Sequence, residues 1–265
     1  MRIGRRLVGP PGSVYVIAEA GVNHDGDIDV ARQLIAAAAN TGADAVKFQV
    51  FSADRLVTRQ APSTGYQQRA GESESQHEML ARLELAHGQF EELSEYARRF
   101  PIDFFATPFS IPDLDFLVSL GVPVLKLASP DIVNGPLLDA AAQSGLAVIA
   151  STGAATLDEV TSAVERFMVP GAGPLSLLHC VSSYPAREEE ANLAVINELA
   201  RRFHCISGFS DHTESLTIGG LAVAAGAKIV EKHLTLDRHR RGPDHSFSLE
   251  PEVMTRYVNE VRRVA

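Results

Sequence analysis

Tryptophan is missing from this 265-residue chain, cysteine occurs twice, and aromatic residues make up only 6% of it. Cys180 and Cys205 supply neither a disulfide framework nor the spacing of a metal site. Each lies in an apolar, strand-like run, so both read as buried thiols of a reducing cytoplasm. The N-terminal stretch MRIGRRLVGPPGSVYVIAE carries basic residues but no apolar run long enough for a signal peptide or a membrane span, so a soluble protein with no membrane partner is expected. Neither GxxxxGK[ST] nor GxGxxG occurs, which leaves ATP-driven and nicotinamide-dependent chemistry without support. Lys and Arg number 24 against 33 Asp and Glu, a net charge of -9 that excludes the broad basic face of a nucleic-acid binder. One local basic site for a small anion remains compatible with that balance.

What is present is a rhythm. With 45% hydrophobic residues the chain can bury one large core, and a single domain spanning residues 1–265 is expected. Short β-branched or apolar runs begin at 14-VYVIAE, 44-DAVKFQVF, 102-IDFFATPF, 123-PVLKLAS, 146-LAVIAST, 175-LSLLHCV, 204-HCISGFSDH and 227-AKIVEKHL. An amphipathic helix pattern follows each of them, and Gly42, Gly121, Gly145 and Gly226 fall just past helix ends, where a left-handed residue is needed. Eight strands alternating with eight helices predict an α/β fold of the (β/α)8 TIM-barrel type. One connection breaks the rhythm: 52-SADRLVTRQAPSTGYQQRAGESESQHEML is far longer than the usual few residues. It reads either as a disordered surface loop or as a lid or subunit contact at the barrel mouth.

In such a barrel the site is built from the C-terminal strand ends. Here those ends carry Glu19, Asn23 and His24; Lys47 and Gln49; Thr107; Lys126 and Ser129; Ser151 and Thr152; His179, Ser182 and Tyr184; Ser210, Asp211 and His212; and Glu231, Lys232 and His233. Alternation along a strand puts Lys47 with Gln49, and Glu231 with His233, on shared faces. Inward-facing Lys47 and Lys126 call for an anion, a phosphate or carboxylate, or else pair with Glu19 and Glu231. His212 and His233 can converge on a divalent cation, with nearby Asp211 and Asp244 in support, or can be hydrogen-bonded core histidines. The Gly242-Pro243 turn can return Asp244 and His245 over the mouth. The hydroxyls of 107-TPFS, 129-SPD and 151-STG suit anion oxygens, or cap the helices that follow.

These stretches also carry a family resemblance. The segments 18-AEAGVNHDGD, 46-VKFQVF, 105-FATPFS, 124-VLKLAS, 151-STG, 179-HCVSSYP with 192-NL, 208-GFSDHT, 231-EKHLTLD and 242-GPDHSFSLEP together resemble the N-acetylneuraminate (sialic acid) synthase family from about residue 14 to 253. The resemblance implies a (β/α)8 carbon-carbon bond-forming transferase that condenses phosphoenolpyruvate with the open-chain aldehyde of an N-acyl amino sugar, such as N-acetylmannosamine. Phosphate and a sialic-acid-type 2-keto-3-deoxy acid would be released. It further implies a divalent metal, Mn2+ with Mg2+ or Co2+ as substitutes, held by His212 and His233, and a cytoplasmic homodimer. Lys47, Thr107, Lys126, Ser129, Ser151, Ser182 and Tyr184 resemble the phosphoenolpyruvate site, and Glu19, Gln49, Glu231 and Asp244 the acid/base and sugar-facing groups. Glu19 is the first choice for proton transfer.

Members of that family usually continue into a small C-terminal antifreeze-like domain that lends an arginine to the partner's sugar pocket, whereas this sequence stops at Ala265, after the eighth predicted helix. The expectation is therefore a barrel without that domain, its acyl-sugar contact met elsewhere or its acceptor changed. Pro130 and Arg187 stand where the family more often has glycine and proline. Three alternatives stay open. The same chemistry could act on a different aldehyde, with 238-RHRR favouring a phosphorylated one; Lys126 could form a Schiff base in a metal-independent aldolase; or the barrel could bind a sugar without turning it over.

Overall fold

A computed structural model describes residues 1–9, 13–61 and 75–265. Eight parallel strands form its centre: β1 Tyr15–Gly21, β2 Ala45–Val50, β3 Asp103–Pro108, β4 Leu125–Leu127, β5 Val148–Ser151, β6 Leu175–Cys180, β7 Ile206–Asp211 and β8 Ile229–His233. Alternating with them are α1 Ile28–Asn40, α2 His87–Ala97, α3 Ile111–Leu120, α4 Gly135–Gln143, α5 Leu157–Arg166, α6 Ala194–Phe203, α7 Ile218–Ala224 and α8 Pro251–Val264. The hydrogen-bonded order is β3-β2-β1-β8-β7-β6-β5-β4, so the first strand joins the last and the sheet curls into a nearly closed (β/α)8 barrel.

The local reasons are ordinary. Asp27 caps α1 by accepting the backbone N–H groups of Asp29 and Val30, and Val30, Ala31, Leu34, Ile35 and Ala38 turn one apolar face to the sheet. Thr156 and Glu159 close a reciprocal capping box at the start of α5. The strands are buried on both faces, as a sheet wrapped by helices requires. Below the barrel, a hairpin of Arg2–Ile3 with Arg6–Leu7 meets the N-terminal strand ends. There Asp44 accepts the Val16 N–H at 2.7 Å and pairs with Arg6 and Arg262.

Two helices, Ala53–Leu56 and Gln76–Leu83, lie in the long connection after β2. The latter begins with a capping box between Ser75 and Glu78 and buries Met79 and Leu83. The lid reading of this insertion falls partly on residues 62–74, which lie outside the described residues. No helix among the described residues is long and apolar enough to cross a membrane.

Behind the mouth, a buried charge network braces β7, β8 and α8. Lys232 Nζ lies 3.1 Å from Asp211 Oδ2, which also accepts the Tyr257 hydroxyl at 2.8 Å. Lys232 donates to the Thr213 carbonyl, and Asp211 Oδ1 accepts both the N–H and the hydroxyl of Thr213. Asp211 therefore faces the helices, away from the mouth, and does not support a metal beside His212 as its place in the sequence had suggested. The Lys232→Met variant strands the Asp211 carboxylate and should cost about 3–5 kcal/mol in urea unfolding. A change under about 1 kcal/mol would mean that Tyr257 and Thr213 suffice to hold Asp211.

Candidate active site

The C-terminal strand ends enclose a cavity of about 320 Å³, at the lower end of small-molecule sites. Glu19, Lys47, Gln49, Thr107, Lys126, Ser129, Ser151, Ser182, Tyr184, His212, Glu231, His233 and Asp244 all line it, so the residues to which the family resemblance gave a role are brought together, whereas Thr152, His179, Asp211, Lys232 and His245 are not among its lining. Strand register explains much of this. Glu19 pairs in register with Lys47 on one side and His233 on the other, and Ser210 pairs with Glu231. A bulge between Glu19 and Gly21 re-aims the end of β1. Gly21 has φ +52°, and a Cβ there would come within 3.3 Å of Glu19 Oε1 and 3.4 Å of Asp244 Oδ2. The left-handed backbone favours glycine at this position, and a Cβ would crowd the Glu19 carboxylate while touching Asp244 at ordinary contact distance.

The floor is a chain of alternating charge. Lys47 Nζ sits 2.9 Å from Glu19 Oε2 and 3.9 Å from Glu231 Oε1, and Lys126 Nζ is 3.9 Å from that same Glu231 oxygen. Lys47 donates to Thr107 Oγ1 at 2.8 Å, and Lys126 donates to Ser151 Oγ at 2.7 Å and to the Leu127 carbonyl at 3.1 Å. The carboxylate pairing of both lysines is thus realised, inside a cavity that an anion can also enter. Burial lowers the Lys126 pKa, with Glu231 opposing. Burial pulls on Lys47 as well, but the charges of Glu19 and Glu231 outweigh it and hold its pKa above the ordinary value. For Glu231 the burial penalty is overcome by Lys126, Lys47 and His212, which keep it ionised with its pKa below the usual carboxylate range. Glu19 goes the other way: burial pushes it up to about 7 against the pull of Lys47, with the Glu231 charge adding to the rise. Two neighbouring carboxyls with opposite shifts are suited to separate acid/base and electrostatic roles.

The histidines show how a metal would fit. His212 Nδ1 faces the Val181 carbonyl at 2.8 Å, so it carries the proton and leaves Nε2 as an acceptor, with the Ser210 hydroxyl 3.4 Å away. His233 Nδ1 is buried without a hydrogen-bond partner, with Asp244 Oδ2 3.8 Å away, and Glu231 Oε2 is likewise unpartnered. The two imidazoles lie edge to face with centroids 5.6 Å apart, and burial holds both in the neutral form that a metal requires. Among the described residues no group of three or more His, Cys, Asp and Glu is gathered so as to hold a metal ion. The two imidazoles could supply only part of a cation's coordination, and substrate or water would have to complete it. Asp244 is raised to about 6 by burial, with His245 and Lys47 pulling against it.

Other strand-end residues build the walls. Asn23 donates to the Leu234 carbonyl and to Ser248, and His24 accepts the Gly26 N–H, which ties the loop after β1 to the loop after β8. His245 points away from the cavity, clasped between Asp25 at 2.9 Å and Thr235 at 2.7 Å, while Arg240 pairs with the same Asp25. This clasp presents Asp244 and leaves His245 outside. His179 turns to the Ala191 carbonyl. Ser129 Oγ accepts the Gly153 N–H and lies 3.0 Å from Cys180 Sγ; Cys180 is buried, as its apolar run suggested, and also borders the cavity, whereas Cys205, expected to be buried as well, is only partly so. Val22, Met79, Leu80, Leu83 and Phe109 also line the cavity without standing out in the sequence. The Ser75-x-x-Glu78 capping signature ahead of Met79-Leu80 was the available signal.

Fold and site together define a barrel enzyme whose mouth pairs two buried lysines with two histidines and acid/base carboxyls. A family profile matches residues 34–265, and the chain belongs to the NeuB family. It is 44% identical over 253 residues to the N,N'-diacetyllegionaminic acid synthase of Legionella pneumophila, covering 94% of this chain and 71% of that protein. It is 37% identical to the N-acetylneuraminate-9-phosphate synthase of Mus musculus, covering 98% and 72% respectively. The N-acetylneuraminic acid (sialic acid) synthetase of Leptospira borgpetersenii, solved in complex with citrate, superposes with a TM-score of 0.89 at 40% identity, over all of this chain and 88% of that one. This membership agrees with the resemblance that the strand-end motifs carry.

Glu19 links the site to folding. Its carboxyl binds a proton more tightly when folded, at about 7, than at the ordinary 4.5, so its contribution to stability is full below 4.5 and is lost as pH rises through about 7. Urea unfolding between those pH values should show the native chain losing stability relative to Glu19→Gln. Parallel profiles would mean that Glu19 keeps an ordinary carboxyl pKa.

Proposed function

We propose that the chain condenses phosphoenolpyruvate with the open-chain aldehyde of an N-acyl amino sugar, giving phosphate and a sialic-acid-type 2-keto-3-deoxy acid. The observation that carries this reading is the pair of buried lysines, each hydrogen-bonded to a strand-end hydroxyl and both within 3.9 Å of Glu231. Two cations in one cavity match a small substrate with two acidic groups, and the relatives are named as synthases of sugar acids of this kind.

Lys47 and Lys126 would bind the phosphate and carboxylate, with Thr107, Ser129, Ser151 and Ser182 supplying neutral donors and Tyr184 closing the side. Gln49, 3.4 Å from Glu19, and Asp244 would orient the acceptor hydroxyls. His212 and His233 would hold a divalent cation, Mn2+ or in its place Mg2+ or Co2+, which when bound supplies Lewis acidity toward the aldehyde oxygen. The new carbon-carbon bond joins the enol carbon to the aldehyde carbon, and Glu19 delivers a proton to the aldehyde oxygen. Water then adds at the former enol phosphate carbon, Glu231 accepting its proton, and the bond from that carbon to the phosphate oxygen breaks as the added hydroxyl loses its remaining proton and becomes the 2-keto carbonyl. The lysines offset the charge of the departing phosphate.

The test is phosphate release from phosphoenolpyruvate with Mn2+ and a panel of aldehydes: N-acetylmannosamine, its 6-phosphate, diacetylated amino sugars and arabinose 5-phosphate, each with and without EDTA. Release that EDTA abolishes is expected, with Glu19→Gln lowering kcat by about a hundredfold or more. Lys126→Ala should raise the KM for phosphoenolpyruvate more than that for the acceptor. The lowered Lys126 pKa favours a Schiff-base aldolase as the second reading. Metal-independent turnover trapped by borohydride at Lys126 would establish it and remove the first.

A further inference from the structure

The ends of β4, β5 and β6 meet at Gly153. Its N–H donates to Ser129 Oγ at 3.0 Å, and Cys180 Sγ lies 3.0 Å from that same oxygen. A Cβ on Gly153 would come within 2.4 Å of Ser182 Oγ, 2.5 Å of Cys180 Sγ and 2.9 Å of Ser129 Oγ. The Gly153 backbone lies outside the left-handed region, so crowding by these three side chains, and not a turn, is what calls for glycine here. Thr152 fixes the strand end just before it: its N–H and its hydroxyl donate to the Leu178 carbonyl at 2.9 and 3.1 Å. Ser129, Cys180 and Ser182 therefore share one rigid seat.

The hydrogen-bond inventory of Ser129 gives the thiol a task. A serine hydroxyl has one proton and two lone pairs. The Gly153 N–H takes one lone pair, which leaves one lone pair and the proton for Cys180 and for whatever enters the cavity that both residues border. Sulfur is a weak acceptor, whereas an anionic oxygen accepts a bond roughly twice as strong as a neutral one. With an anion in the cavity, the Ser129 proton turns toward it, and the lone pair left facing Cys180 can only accept. The sulfur must then carry a proton. Burial pushes the Cys180 thiol pKa up, against the pull of Ser129 and Lys126, and so keeps it a neutral donor and a poor nucleophile.

Resting on the synthase reading above, we propose that Cys180 is a positioning residue for the phosphoenolpyruvate half of the site: its S–H, seated on Gly153, fills the second lone pair of Ser129 and commits the Ser129 hydroxyl to donate to an acidic group of phosphoenolpyruvate. Cys180 touches no reacting atom. Its contribution arises when the anion is bound, since in the empty cavity the Ser129 proton can rest on the sulfur.

The experiment measures phosphoenolpyruvate binding by calorimetry with Mn2+ and no aldehyde, then steady-state kinetics with the best aldehyde of the panel above, for the native chain, Cys180→Ala, Cys180→Ser and Gly153→Ala. Cys180→Ala should weaken phosphoenolpyruvate binding and raise its KM by about threefold to tenfold, as the loss of one neutral hydrogen bond would, with kcat and the acceptor KM unchanged. Cys180→Ser restores a donor and should recover most of that loss. Gly153→Ala forces Cys180 and Ser182 away from Ser129 and should weaken binding more than Cys180→Ala does. A Cys180→Ala chain that binds phosphoenolpyruvate as the native chain does, or a Cys180→Ser chain that binds no better than Cys180→Ala, overturns the positioning role and leaves the synthase reading standing. A native chain that neither binds phosphoenolpyruvate nor releases phosphate from it overturns the synthase reading and this inference with it.

Discussion

The mouth of this barrel depends on one constraint: four ionisable side chains, Glu19, Lys47, Glu231 and Lys126, are held almost entirely out of water. None is tolerable alone, since an isolated buried charge is far more costly than any single packing contact. They persist because the strand register alternates their signs, Glu19 against Lys47 and Glu231 between the two lysines. Much else around the mouth serves that arrangement. Gly21 gives the end of β1 its left-handed turn beside the carboxylates, Thr107 and Ser151 accept hydrogen bonds from the lysines, and Ser210 donates to Glu231 at 3.2 Å.

The same constraint gives the site its chemical range. Because Glu231 stays ionised while burial raises Glu19, two carboxyls a short distance apart differ in proton affinity. A proton can reside on one and not on the other, which acid/base work requires. The brace of Lys232, Asp211 and Tyr257 lies on the opposite face of the same strand ends, so adjacent residues divide the labour: Asp211 and Lys232 anchor, His212 and His233 face the cavity.

Much of this is legible in the sequence, for a physical reason. Parallel strands buried on both faces and helices with one apolar stripe leave strong periodic patterns, so all eight repeats can be read, and the polar residues at the strand ends stand out against their apolar surroundings. Alternation places Glu231 and His233 on one face correctly. The direction of Asp211 is not legible because its partners, Lys232 and Tyr257, are 21 and 46 residues further on, and no local pattern announces such a pair. The apolar rim is hidden because Met79, Leu80 and Leu83 sit in an insertion whose composition is polar, and their role depends on where the helix docks.

The closure of β1 onto β8 also has a consequence for the newborn chain. Asn23 reaches the Leu234 carbonyl across 211 residues of sequence. At roughly 5–20 residues per second of synthesis, the first strand waits roughly 10–40 s for its partner. Throughout that interval one edge of β1 has no neighbour and Glu19 remains hydrated. The charges that define the mouth are therefore dehydrated together, late, in the step that joins the two ends of the sheet.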